Sequence, residues 1–431
     1  SRPRRLFSTI KSFIDYPKTT HFPIENIPFG VGKFTEGKRA KFCCTRIGDS
    51  VIDLTGLERD GLLKVEGRKD ESNYLFKKAS MNKLMTEGTE MRVNVRNAIQ
   101  QLFSTNNASE SVSLGKYMYK ADTIKMQLPA QTTDVIHYSS SLNFNANQGK
   151  FLKAYRDDPL PETFFEIPLG HNGKASALTT ATYIRRPYGF FRKPNAKYLQ
   201  STLLDYSLGL GFYISGKEAS RGELTLERAA DRIFGYVLAN AWVAMDIFAF
   251  ELSPCGPLIS KNFATSLSHW IITPEALKPF ESRMPKTLKP PSPHLDFEKR
   301  ILYDIKLKMS IRPKYFDEDQ QLSSTKMSEM YWSPAQLIFH QMASGVQLNP
   351  GDLILSGTLS SRKFNGEGCM FERTSNGVKE IRVGGSKRIY IENWDELAMQ
   401  GETEGENFTI GFGEARVQVK PSLIKFPHFE E

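Results

Sequence analysis

Cysteine is scarce in this chain, with four among 431 residues: Cys43, Cys44, Cys255 and Cys369. One adjacent pair and no Cys-x-x-Cys argue against a structural zinc or a disulfide scaffold, and point to a reducing compartment. Histidine is equally thin, at positions 21, 137, 171, 269, 294, 340 and 428, with no His-Glu-x-x-His. Glycine-rich phosphate loops, dinucleotide fingerprints and internal repeats are absent. No apolar run approaches the roughly 18 residues that a spanning helix needs. Excess positive charge is modest. The formal net charge is +9 and the pI about 9.1, spread over short clusters such as Lys38-Arg39, Arg185-Arg186 and Lys387-Arg388. That is too diffuse for the dense basic stripe of a nucleic-acid binder.

What is present is ordinary globular material, 40% hydrophobic and 24% charged, long enough for two domains. The first residues, "SRPRRLFSTIKSF", are rich in Arg and Ser and lack acids until Asp15. They resemble a mitochondrial targeting segment or its remnant, so residues 1–20 are expected to be a basic extension and the location a mitochondrion. "AKFCCTRIGDSVIDLTGL" predicts two strands about a Gly48-Asp49 turn, and Lys78 to Phe103 a helix burying Val93, Ile99 and Leu102. A small domain is placed at 21–122 and a larger one at 123–431. In the latter, "LERAADRIFGYVLANAW" predicts a helix from Leu226 toward Leu238, and Pro274 to Pro293 an irregular excursion. "KRILYDIKLKMSI" predicts a strand with its charges solvated, and "MYWSPAQLIFHQMASG" a helix stopped by Gly345. Many strands and few helices give a mixed, β-rich α+β class without βα repeats.

"LDYSLGLGFY" (204–213) alternates like a strand. Tyr206, Leu208, Leu210 and Phe212 would wall a core; Ser207, Gly209 and Gly211 leave the other face nearly bare. Glycine inside a strand marks a bulge or a close approach by backbone or ligand.

"FPIENIPFGVG", "LPA", "HYSS", "IPLGHNGKAS", "IRRPYG", "LLDYSLGLGFY", "ANAWVAMDI", "GPLISKNF", "YWSPAQLIFHQ", "NPGDLILSGT" and "IGFGEA" run in order along the chain. In these segments it resembles the fumarylacetoacetase family, which cleaves fumarylacetoacetate to fumarate and acetoacetate. The resemblance implies an SH3-like N-terminal barrel, a larger β-roll-like domain, and dimerisation. It also implies a magnesium or calcium ion in a carboxylate cage beside a histidine base. The matching positions here carry none of these groups. The cage positions fall on Ile136, Ser207, Gly209 and Ala241, and the histidine on Asn143, in what reads as a loop with a one-residue insertion. A hard cation needs several oxygen ligands, and an amide is no base near neutral pH. Asp134 is two residues from the Ile136 position, roughly 6 to 7 Å along a strand.

Some pocket positions persist by the same resemblance: Tyr138, Lys261, Thr358 and Glu372, with Lys153 for an arginine and His171 for a tyrosine. Tyr138 and Lys261 suit an anion or are remnants with local partners; His137 and His171 are expected to pack or face solvent. The leading expectation is a scaffold without hydrolysis, with no catalytic residue and no cofactor. It would serve as a structural or accessory subunit of a mitochondrial complex, respiratory before ribosomal, contacting protein subunits or forming a homodimer or pseudo-dimer. The competing expectations are a hydrolase whose displaced metal site uses Asp134, Asp205, Asp246 or Glu251, and a sensor binding a small dicarboxylate through Lys153, Lys261 and Tyr138.

Overall fold

The computed structural model describes residues 10–424 apart from 38–39, 69–72, 153–158, 192–196, 217–223, 254–255, 285–286 and 298–299. Of the expectations above, Lys153, Cys255, His428 and the first nine residues lie outside the described residues. The fold is mixed α+β and strand-rich, with a seven-stranded sheet curled into a half-barrel at its centre.

Near the N-terminus, Gly30–Phe34, Phe42–Ile47, Ser50–Asp53, Met118–Lys120 and Ile124–Gln127 form one five-stranded sheet. The Gly48-Asp49 turn joins its second and third strands, as the sequence predicts. Its end strands are Met118–Lys120 and Ile124–Gln127. Residues 10–20 are not loose where described. The Phe13 amide donates to the Phe103 carbonyl at 3.2 Å, and Ile14 is buried.

The helix spans Asn82–Leu102, with Leu84, Met85, Val95 and Ile99 buried. Val93, expected inside, is only half-buried, because the face turns to seat two buried arginines. Arg92 pairs with Glu275 at 2.7 Å and donates to the Ile233 carbonyl at 2.7 Å. Arg96 donates to the carbonyls of Glu25, Asn26 and Ile27. The buried Arg92 guanidinium, paired with the half-buried Glu275 and bonded to the Ile233 carbonyl, ties this helix to the larger sheet.

That sheet runs Gly170–Lys174, Asp134–Tyr138, Leu353–Leu355, Leu208–Ile214, Ile233–Ala241, Thr265–Leu267, Leu178–Thr179. Both of its faces are covered. Leu208, Leu210 and Phe212 belong to a core shared with a second five-stranded sheet through Leu307, Met309, Leu397 and Phe412. Tyr213, Val237, Ala239 and Leu355 belong to a core shared with the N-terminal helix and sheet.

Double coverage explains two corrections. The helix expected from Leu226 to Leu238 stops at Asp231, and Ile233–Ala241 is a strand buried at every position. Its β-branched and aromatic run pairs on both sides, which outweighs the helical periodicity of the preceding Leu-Glu-Arg-Ala-Ala. The face of Ser207, Gly209 and Gly211 is also not open, since all seven residues of Leu208–Ile214 are buried. Elsewhere, Lys306–Arg312 alternates as expected, and the helix Pro334–Ala343 starts with a Ser333/Gln336 capping box. Gly345 follows that helix at φ 78°, the left-handed stop that glycine accepts. The 274–293 excursion is partly regular: Pro274–Leu277 is helical with Ala276 and Leu277 buried, and Glu281–Arg283 pairs with Ile301–Tyr303.

Candidate functional site

Of the positions singled out by sequence, Tyr138, Ser207 and Gly209 come together around the segment Ser356–Thr358, while Ile136 and Ala241 belong to different cores of the sheet. Gly209 explains its own lack of a side chain. A Cβ there would lie 2.3 Å from the Gly357 carbonyl oxygen and 2.9 Å from the Ser356 hydroxyl. Contacts below about 3 Å to backbone do not occur without displacement. The approaching group is therefore backbone. Gly357 itself sits at φ 75°, with its own missing Cβ 2.1 Å from the Tyr138 carbonyl. Ser207 spends its hydroxyl on Thr358 at 2.8 Å, and its amide donates to Asn240 at 2.8 Å.

Ile136 and Ala241 are buried apolar groups. The four positions together present one hydroxyl that already has a partner. Such a donor set does not fit a divalent ion, which takes six or more oxygen ligands when it is calcium. Among the described residues no cluster of three or more His, Cys, Asp or Glu side chains converges for a metal.

Asn143 is not in a loop. It lies in the first turn of the helix Leu142–Leu152. Its amide donates to Glu329 and to the Ser360 carbonyl, both at 3.1 Å, and it accepts from Arg362 at 3.2 Å. Glu372 is buried and accepts from Asn147 at 2.8 Å, from the Gly368 amide at 3.1 Å, and from Ser360. Burial holds its carboxyl above the usual range.

The remaining carboxylates weighed as displaced ligands have other work. Asp205 receives the Met370 and Phe371 amides, each at 2.7 Å, and burial pushes it up to about 7. Asp246 receives Ser201 and the amides of Thr202 and Leu203. Glu251 receives the amides of Leu258, Ile259 and Ser260. Asp134 is exposed at the far end of its strand.

Lys261 and Thr358 line a hollow of about 20 Å³ with Asp205, Tyr206, Phe248 and Cys369. One water needs roughly 10–15 Å³, and small-molecule sites run to about 300 Å³ or more. The Lys261 ammonium lies 5.5 Å from the Phe248 ring centre, with no carboxylate in ion-pair distance among the described residues. Burial pushes it down to about 8. Tyr138 does not line this hollow. Its hydroxyl accepts from Gln341 at 2.6 Å and donates to the Leu337 carbonyl at 3.3 Å. The structure thus separates Tyr138 from Lys261, which the anion reading needed together.

His137 and His171 face each other across paired strands as a stacked pair, ring centres 4.9 Å apart. Both are pushed down to about 3, chiefly by burial and further by Lys261. Neutral imidazoles are the state this packing demands. Glu329, Arg362, Phe248 and Cys369 were missed by sequence reading, since nothing in their local patterns marks them as neighbours of the site.

A curled mixed sheet, with the hollow beside Lys261 walled by the helices Leu142–Leu152, Met245–Glu251, Ile259–Asn262 and Met370–Arg373, defines the architectural class. The model of the fumarylacetoacetate hydrolase C-terminal family matches residues 137–419, and that of the fumarylacetoacetase N-terminal family residues 25–129. The fumarylacetoacetase of Caenorhabditis elegans is 32% identical over 425 residues, covering 96% of this chain and 100% of that protein. That of Arabidopsis thaliana is 30% identical over 420 residues, covering 96% and 99%. A solved fumarylacetoacetate hydrolase from psychrophilic Exiguobacterium antarcticum shares the fold at TM-score 0.51 and 14% identity, covering 92% of this chain and 100% of that one. The chain belongs to the fumarylacetoacetase family.

Proposed function

We propose that this member of a hydrolase family no longer performs the family's hydrolysis and acts instead as a structural or accessory protein. One observation carries this reading. The four positions at which the family resemblance expects carboxylates hold Ile136, Ser207, Gly209 and Ala241, and backbone occupies the space where a side chain at Gly209 would extend. A subunit of a mitochondrial complex, respiratory rather than ribosomal, is the setting we favour. Its support is the acid-poor, arginine-containing sequence of residues 1–14 and the basic overall charge. The SH3-like description of the first sheet, the β-roll description of the larger part and a homodimer belong to the same proposal. Their support is the family resemblance.

A second reading has its own specific support. The match to curated fumarylacetoacetases at 30–32% identity runs the length of the chain, which favours a hydrolase of the same type. That reading needs new ligands. Asp205, Asp246 and Glu251 would have to give up amide partners to provide them. The dicarboxylate sensor is less favoured, because Tyr138 is committed to Gln341 and Leu337.

Turnover of fumarylacetoacetate by the purified chain, with magnesium and calcium in excess, separates the readings. No acceleration over the metal-containing blank is expected; metal-dependent turnover abolished by a chelator would establish the hydrolase. Native size-resolved separation of mitochondria then addresses the subunit reading. Migration with a large assembly is expected, and migration alone at the monomer or dimer mass would contradict it.

A further inference from the structure

A groove of about 690 Å³ lies between two sheet edges, away from the hollow beside Lys261. One wall is Lys125, Met126 and Gln127, from the end strand Ile124–Gln127 of the N-terminal sheet. The other is the segment 175–181, which contains Leu178–Thr179, an end strand of the seven-stranded sheet. Two unpaired strand edges therefore border one open channel.

The register shows which backbone groups face it. The Thr35 amide donates to the Thr123 carbonyl, and the same alignment continues through Lys33 opposite Lys125 and Val31 opposite Gln127. In an antiparallel pair, bonded and non-bonded positions alternate. Residues 123, 125 and 127 thus bond inward, and Met126 turns its N–H and C=O outward. The Gln127 side chain covers the Met126 carbonyl at 3.0 Å, a flexible cap that a stronger partner can displace. Small side chains, Ala79, Ala130, Ala175 and Ala181, leave room for a passing backbone. Among the described residues, the charged ones lining the groove are Lys41 and Lys125, both exposed, with no Asp or Glu; the adjoining hollow along the same edge adds Arg46 and Glu414.

We propose that this groove is a docking site for an acidic, extended segment of a partner protein. The segment adds as a strand to the Ile124–Gln127 edge, exchanging hydrogen bonds with Met126, while its carboxylates meet Lys41 and Lys125. Strand addition of this kind takes affinity from the main chain and selectivity from alternate side chains. The two lysines supply the selectivity. A second copy of this chain is the less suitable occupant, since it carries a net charge of +9. Lysines on a bare edge also protect against indiscriminate pairing, which an acidic segment overcomes and a neutral one does not. The inference stands whether or not the chain turns over substrate.

The test is selection of a phage-displayed random peptide library on the full-length protein, followed by titration of synthetic versions of the selected sequences. Selected peptides should be acidic and should alternate β-branched or aromatic residues with polar ones. N-methylation of alternate peptide amides on one edge should abolish binding, and on the other edge leave it intact. Reversing both lysines (Lys41→Glu with Lys125→Glu) should weaken binding by about tenfold or more and transfer preference to basic peptides. Ala181→Trp, at an exposed position in the channel, should block it with thermal stability unchanged. Three results would overturn the proposal: no enrichment, binding indifferent to Ala181→Trp and to the lysine reversal, or a homodimer that Ala181→Trp dissolves. Hydrolysis enters none of these outcomes, so this inference can fail without deciding the one above.

Discussion

The hollow beside Lys261 and the groove beside Lys125 each present a lysine, and differ in nearly everything else. The first is about 20 Å³, enclosed by Tyr206, Phe248 and Cys369, and lies where the family resemblance locates the chemistry. The second is about 690 Å³, open, and bounded by two strand edges, one of which turns Met126 outward with its carbonyl capped by the Gln127 side chain. The difference lies in what covers each surface. Beside the hollow, behind its Thr358 wall, the Gly357 carbonyl fills the position of any side chain at Gly209, and Ser207 is satisfied by Thr358. At the groove, two sheets end side by side, joined by the segment 128–132 that forms part of its wall. One fold can thus carry an enclosed hollow and an open groove on separate surfaces.

Forcing a side chain in at Gly209, beside the hollow, is the severest way to break this contrast. Gly209→Glu would place a Cβ 2.3 Å from a backbone oxygen and a carboxylate inside the core. We expect a loss on the order of 3–5 kcal/mol in urea denaturation, or failure to fold. A stable variant would mean that the strands part readily and that the closed state is not the resting one.

The histidine stack gives a pH signature. His137 and His171 titrate near 3 in the fold, against about 6.5 unfolded. The unfolded chain therefore binds protons that the native state refuses, and stability falls as pH drops from about 6.5 toward 3. At pH 5 each imidazole costs about 2 kcal/mol relative to neutral pH. His171→Phe keeps a ring in the stack and should flatten the melting temperature of the variant between pH 7 and 5 relative to the parent. Asp205, raised to about 7, acts in the opposite direction in an overlapping window, and is common to both proteins.

Lys261 should also reveal itself as a liability. Its pKa is depressed in the fold to about 8, so the unfolded chain holds this proton more tightly. The penalty is fully present below about pH 8 and vanishes as pH rises through the unfolded value near 10.4. Lys261→Met should raise stability at pH 7 by about 2 kcal/mol, with a smaller gain at pH 10. A loss instead would point to a bound anion paired with the ammonium. The mildest change is Ser207→Ala, which removes the contact with Thr358 and should cost about 1 kcal/mol in the same denaturation assay.

The parts legible in the sequence are those whose signal is local. Alternation gave Lys306–Arg312, and the capping box and stop glycine framed Pro334–Ala343. Ser207, Gly209, Ala241 and Ile136 are singled out through the family resemblance alone, with Ile136 and Ala241 in different cores. Long-range causes were not legible. Ile233–Ala241 reads as helix until its pairing with strands on both sides is seen, and the bare look of Gly209 and Gly211 conceals an approaching backbone. Asn143 reads as loop although its helix is fixed partly by Glu329 and Ser360, far away in sequence. Of the two readings the sequence left open for Tyr138, its hydrogen bonds with Gln341 and Leu337 fit the one with local partners.

The central claim, that the inherited site cannot take its ion, is open to one direct measurement. Manganese(II) is a paramagnetic substitute for magnesium and calcium, and its free ion is counted by electron paramagnetic resonance. Titrated against the full-length protein, it should stay free through the micromolar range and show no site competed by calcium. One manganese bound per chain, released by magnesium or calcium, would contradict the account and return the hydrolase reading to first place.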